Sequence, residues 1–216
     1  MPTTNKIIEK ILLEKYFLLK SHNIKEINNI FNDIADKEKK YIYCNKKCYF
    51  CCNAYLIGSN IEAELIAYYL NENDFLYNNF IINLKKWKKE TEKIKNIINQ
   101  INKLIPVVGK TDKNVSLNNN DYENELKKYY YLMNFYVSKN IFCPFLYKKE
   151  CSIYDARPYV CINLISFTES KFCENNLKNR EIFRTQIPPV VIPVNGKVEF
   201  VPIVFFCIEK LGIDNL

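Results

Sequence analysis

The feature that most constrains this chain is the placement of its sulfur. Nine cysteines occur in 216 residues, and seven of them fall into two groups. The first is Cys44-Asn-Lys-Lys-Cys48-Tyr-Phe-Cys51-Cys52, four thiols within nine residues. The second spreads Cys143, Cys151 and Cys161 over nineteen residues. On a regular helix the first four would line a stripe about 100° wide but about 12 Å long. The sulfurs around one tetrahedral zinc lie only about 4 Å apart, at Zn–S distances of about 2.3 Å. One helix therefore cannot deliver all four to one zinc. Either the segment loops around its metal, or its thiols serve a larger cluster or two ions, with one of Cys51 and Cys52 turned to a second metal or a bridging position. The second group must then come from elsewhere in the chain to complete the shell. The isolated Cys173 and Cys207 read as buried apolar residues.

Little else in the sequence is available for chemistry. The four glycines, Gly58, Gly109, Gly196 and Gly212, are too far apart for a GxGxxG turn or a P-loop, which argues against a phosphate-hugging nucleotide fold. His22 is the only histidine, so no HExxH site exists and a histidine-based triad is disfavoured. Thiolate-only coordination selects zinc, copper(I) or an iron–sulfur cluster over harder cations. Lys6, Glu9, Lys10, Glu14, Lys15 and Lys20 interrupt the apolar pattern of the first twenty residues, so no signal peptide is read there. No uncharged apolar run reaches the ~18 residues that span a bilayer. The expectation is a cytoplasmic protein without a membrane anchor, where clustered cysteines hold metal rather than form disulfides.

The net charge is +7 with every thiol neutral. The densest basic run is Lys85, Lys86, Lys88, Lys89, Lys93 and Lys95. It reads as a solvated helix face balanced by Glu90 and Glu92, with a nucleic-acid patch as the less favoured alternative. The partners expected are a metal ion or cluster, with room for a protein partner.

The apolar spacing predicts a mainly α fold with a small C-terminal β-hairpin, its helices arranged around a cysteine-rich metal site, in a single domain over 1–216. An N-terminal helical pair is expected over 1–40. Ile7, Ile8, Ile11, Leu12, Leu18 and Leu19 face the core in the first helix, and Ile24, Ile27, Ile30, Phe31 and Ile34 in the second. Ser21-His22-Asn23 forms the turn between them, with His22 solvated. The cysteine core spans 44–162. Within it, Ser59 or Asn60 caps a helix through Tyr69, and Asn73-Asp74 opens a longer helix ending near Leu104 before Pro106. Residues 106–120 read as a loop and 121–138 as another helix. The hairpin is expected within 186–207, where 190–194 and 197–205 flank Asn195-Gly196.

The motifs together resemble the zinc- or iron-chelating cysteine-cluster family, also called the CxxCxxCC domain. The resemblance rests on Cys44-x3-Cys48-x2-Cys51-Cys52, on Cys143-Pro144-Phe145-Leu146, and on Cys151-Ser152-Ile153-Tyr154-Asp155-Ala156-Arg157-Pro158 with Cys161. It implies that Cys44, Cys48, Cys51, Cys52, Cys143, Cys151 and Cys161 are metal ligands for zinc or an iron–sulfur cluster, and that Arg157 supports them. The chain departs from the family in two places. Tyr49-Phe50 stands where members often carry glycine, and Ile162-Asn163 where they usually carry arginine. A related cysteine signature occurs in flagellin lysine N-methylases, which implies a metal-dependent protein-modifying activity as a second possibility. Tyr154, Asp155 and Arg157 are its most suggestive polar residues, against a plainer reading as a helix start and a packing arginine.

Overall fold

In a computed structural model the protein is described at residues 4–43, 49, 51–108, 119–166, 182–184 and 199–213. It is mainly helical, with short antiparallel strand pairs at its edges.

The N-terminal 35 residues that were expected to form two helices make one, α1, Thr4–Glu38. Ser21, His22 and Asn23 are only middling helix formers, but none is Gly or Pro, so nothing breaks the hydrogen-bond ladder. His22 sits on the exposed side of α1, its Nε2 3.6 Å from Glu26 Oε1. Ile11 and Leu18, expected in the core, are also exposed. The stripe that does bury is Ile27, Phe31 and Ala35, which pack on Ile162 with Ile24, Ile34, Ile42 and Tyr159 alongside. The chain leaves α1 through Lys39 at φ 51°, and Lys40 N–H donates to the Ala35 carbonyl (2.8 Å), closing the helix end.

A short strand, β1, Ile57–Ser59, leads into α2, Asn60–Asn71. Ser59 is the cap. Its hydroxyl accepts from Glu62 N–H while the Glu62 carboxylate accepts from Ser59 N–H, a reciprocal box that satisfies two end donors. Helix α2 is the centre of the molecule: Ile61, Ala63, Leu65, Ile66, Ala67 and Leu70 are all buried. α3, Asp74–Glu92, and α4, Lys95–Val108, replace the single long helix expected over 74–104. The break falls at Lys93-Ile94, where the Ile94 and Ile97 N–H groups form tight turn bonds to Thr91 and Ile94 carbonyls. That bend lets Ile98, Ile101, Leu104 and Ile105 of α4 reach the core that also takes Phe80, Leu84 and Trp87 of α3. Pro106 does not stop α4; it lies in its last turn, where one lost N–H removes a single bond. α5, Asn119–Ser138, packs on α4 and contributes Leu132 and Tyr136. The Trp87 indole N–H donates to the Tyr136 hydroxyl (3.0 Å) inside this core.

After α5 come β2, Leu146–Tyr147, and β3, Glu150–Cys151, a hairpin that the sequence reading did not anticipate. Its two turn residues, Lys148 and Lys149, have φ of 48° and 66°, the doubly left-handed turn that normally selects Asn-Gly. A 3-10 turn (Tyr154–Ala156), a one-turn helix α6 (Tyr159–Ile162) and the strand pair β4 (Leu164–Ser166) with β5 (Ile182–Arg184) follow.

Near the C-terminus β6, Phe200–Pro202, pairs antiparallel with β1, in the register Ile57↔Pro202, Gly58↔Val201 and Ser59↔Phe200. The strand expected through residue 205 stops at Pro202, and Ile203–Lys210 is helix α7. Ile203, Val204 and Cys207 explain the change. Their spacing of one and four is helical, and all three are buried against the core. The other half of the expected hairpin, with Asn195-Gly196, lies outside the described residues. Helix α7 lies along α2, and the Cys207 thiol donates to the Ala63 carbonyl of α2 (3.4 Å). Cys207 is thus a buried packing residue.

Candidate metal centre

The first cysteine segment is described at Tyr49, Cys51 and Cys52; Cys44 and Cys48 lie outside the described residues, as does Cys173. Cys51 and Cys52 occupy a tight turn in which the Cys52 N–H donates to Tyr49 (2.9 Å) and the Ala54 N–H to Cys51 (3.2 Å). The second segment comes directly against it. The Cys143 N–H donates to the Cys52 carbonyl at 2.6 Å, a main-chain bond between residues ninety-one positions apart. Asn53 adds a side-chain tether, its Nδ2 donating to the Val137 carbonyl (3.4 Å) and to Asn140 Oδ1 (3.2 Å). Tyr49 lies near Phe142 (6.1 Å between rings) and under the Lys149 ammonium (5.5 Å to the ring centre).

The hairpin then turns Cys151 back toward Cys143. The Leu146 N–H bonds to the Cys143 carbonyl (3.1 Å), and Cys151 stands opposite Leu146 in the β2–β3 register. Ser152 fixes the return, donating through both N–H (2.8 Å) and hydroxyl (2.7 Å) to the Phe145 carbonyl. Phe145 itself is the anchor: it is buried and stacked on Phe80 of α3 at 4.9 Å and 10°. Cys161 rides on α6, whose first turn is held by Glu62 accepting from the Tyr159 N–H (2.5 Å).

Cys51, Cys52, Cys143, Cys151 and Cys161 are thereby gathered within electrostatic reach of one another. All five are thiols with no disulfide among them. The hydrogen bond to Cys51, and then burial, push the Cys52 thiol up. Burial pushes Cys143 up to about 12, raises Cys151, and holds Cys161 well above the ordinary thiol range, with the neighbouring sulfurs adding to the effect at each. Like charges cannot accumulate here without a cation. Such thiols are poor nucleophiles at neutral pH. A soft metal ion, which displaces their protons, suits this donor set far better. Among the described residues, however, no group of three or more Cys, His, Asp or Glu side chains has the geometry to hold an ion. The described sulfurs are assembled but do not by themselves form a closed shell.

Arg157 lies beside this group. Its Nε donates to the Tyr154 carbonyl (2.9 Å) and its guanidinium stacks on the Tyr154 ring (3.6 Å to the centre). Its charge opposes the rise in the Cys151 and Cys161 pKa values. Asp155, the third of the polar residues noted in the sequence, is exposed.

Two residues of the site were not singled out in the sequence. Glu62 is buried and accepts from Ser59 N–H (3.0 Å), Ser59 hydroxyl (3.3 Å), Tyr159 N–H and Lys20 Nζ (3.4 Å). Lys20 is buried on α1. A signal for it was present: Lys20 precedes Ile24, Ile27 and Phe31 at spacings of four, seven and eleven, on the same helix face.

The basic run lies on and just beyond α3, where Lys93 pairs with Glu90 (2.6 Å) and Lys95 with Glu92 (2.9 Å) on the exposed surface. Among the described residues no helix is long and apolar enough to cross a membrane. The chain matches no protein-family model, no curated protein and no solved structure.

Proposed function

We propose that this protein is a metal–thiolate protein holding zinc or an iron–sulfur cluster through Cys44, Cys48, Cys51, Cys52, Cys143, Cys151 and Cys161, in keeping with the cysteine-cluster family its motifs resemble. The observation that carries this reading is the main-chain bond from Cys143 to Cys52, which brings two sulfur-bearing segments together from distant parts of the chain. Five thiols around that junction, Cys51 exposed and the other four partly buried, supply a soft donor set.

Anaerobic purification followed by metal and acid-labile sulfide analysis tests the reading. Zinc near one or two equivalents per chain without sulfide selects a zinc site, and iron with matching sulfide and visible absorption selects a cluster. A folded, colourless protein that retains no metal and takes none up overturns it.

A second reading, a metal-dependent protein-modifying enzyme, is favoured by one observation. Cys143 lines an open cleft of about 300 Å³ between α3 and residues 140–146, together with Trp87, Ile141, Phe142 and Asn83. A ligand there would approach one sulfur of the centre. Full cysteine coordination at every metal position would count against that reading.

A further inference from the structure

The ammonium of Lys20 is out of water, on a helix that belongs to neither cysteine segment. Among the described residues it contacts Glu62 Oε1 and the Ala156 carbonyl, both at a long 3.4 Å. The side chains of Lys20 and Glu62 are each only 4% exposed. Glu62 does not depend on this lysine, because two N–H groups and one hydroxyl already donate to its carboxylate. The buried cation is therefore held loosely by an anion whose own bonding is complete. A buried charge requires closer compensation than that.

Both contacts of Lys20 lead to the strand of chain that carries Cys161. Ala156 ends the 3-10 turn before Arg157 and Pro158, and Glu62 grips the N–H of Tyr159, two residues before the thiol. Arg157, the next residue after Ala156, stacks on the Tyr154 ring of the same turn. We infer that Lys20 is a charge-compensating residue of the metal–thiolate centre, delivered by α1 to offset the negative charge that the thiolates carry once they bind an ion. The inference rests on the function proposed above. Burial works against the ammonium, Glu62 is the main group that favours it, and a negative charge at Cys161 adds to that effect. A metal with four thiolates carries excess negative charge, and a fixed cation nearby in a medium of low effective dielectric favours that state.

The test must separate this role from mere pairing with Glu62. Zn(II) affinity is measured by chelator competition, under anaerobic conditions at pH 7, for the wild-type chain, Lys20→Met, Lys20→Arg and the double variant Lys20→Met/Glu62→Gln. The double variant removes both charges and leaves no unpaired ion. Far-UV circular dichroism monitors folding throughout. The expected result is zinc binding weakened about tenfold or more in the double variant and in Lys20→Met. Lys20→Arg, which keeps the cation, stays within about threefold of wild type. A folded double variant with wild-type affinity overturns the role assigned to Lys20 and leaves the metal site standing. If the double variant does not fold, Lys20→Met and Lys20→Arg decide, since equal losses in those two mean that the lysine only packs and its charge plays no part. A wild-type chain that takes up no zinc and holds no iron removes the metal–thiolate reading, and this inference with it.

Discussion

Tyr55, three residues beyond the paired cysteines, shows how burial sets the chemistry of a single side chain. Its hydroxyl donates to Asn102 Oδ1 at 2.7 Å, and its ring meets that of Tyr136 edge to face at 5.1 Å. Burial raises the pKa of both phenols above their ordinary value near 10. The unfolded chain therefore ionises at pH values where the folded chain does not. Stability from the neutral phenols is complete below pH 10 and is lost as pH rises beyond it. Tyr55→Phe cannot ionise. Its unfolding free energy, followed by denaturant titration, should fall less steeply above pH 10 than that of the wild type, by up to about 1.4 kcal/mol per pH unit. An unchanged slope would mean that the Tyr55 hydroxyl is more accessible than its position implies. At this scale the thiols were legible in the sequence because cysteine is rare and its clustering stands out. Lys20 and Glu62 were not, because nothing in a lysine-rich, glutamate-bearing helix distinguishes a charge that is buried from one that is solvated until the elements are placed.

Between elements, the tightest fit described is where β1 enters α2. A Cβ on Gly58 would lie 2.6 Å from Ile203 Cδ1 of α7 and 2.8 Å from Glu62 Oε2. Neither neighbour can retreat easily, since Ile203 is fully buried and Glu62 is fixed by several donors. Gly58→Ala should therefore destabilise the protein by about 1–3 kcal/mol, measured by chemical denaturation. A neutral result would show that α7 can shift away from α2. Helix boundaries were readable where a chemical signal marks them: Ser59-x-x-Glu62 starts α2, and Asn73 caps α3 by accepting from the Leu76 N–H (3.1 Å). They were not readable where packing alone decides. Lys93-Ile94 carries no breaker, yet the chain bends there so that Ile98 and Ile101 turn inward. The Lys148-Lys149 turn carries none of the usual residues for its backbone, and β6 takes as its partner a strand more than 140 positions earlier. Local pattern holds no record of such a partner.

On the scale of the whole molecule, the buried apolar residues fall into two unequal bodies. The larger unites α2, α3, α4, α5 and α7 with Phe145, Ile153 and Ala156 of the second cysteine segment. The smaller, among the described residues, holds Ile27, Phe31, Ala35 and Ile162 with their fringe, and it fastens the second half of α1. Regions with few buried contacts open first. Native-state hydrogen exchange should therefore find the amides of 21–38 less protected than those of α2 and α4, by at least about tenfold. Equal protection would mean that α1 unfolds only with the main core. The second sulfur-bearing segment belongs to the larger body through Phe145, and the bond that joins it to the first runs from backbone to backbone, from Cys143 to Cys52. No side chain is needed to make that seam. On the function proposed above, the polypeptide would keep Cys52 and Cys143 in register with or without an ion, so that gain and loss of metal become reversible traffic through a standing scaffold rather than episodes of folding and collapse.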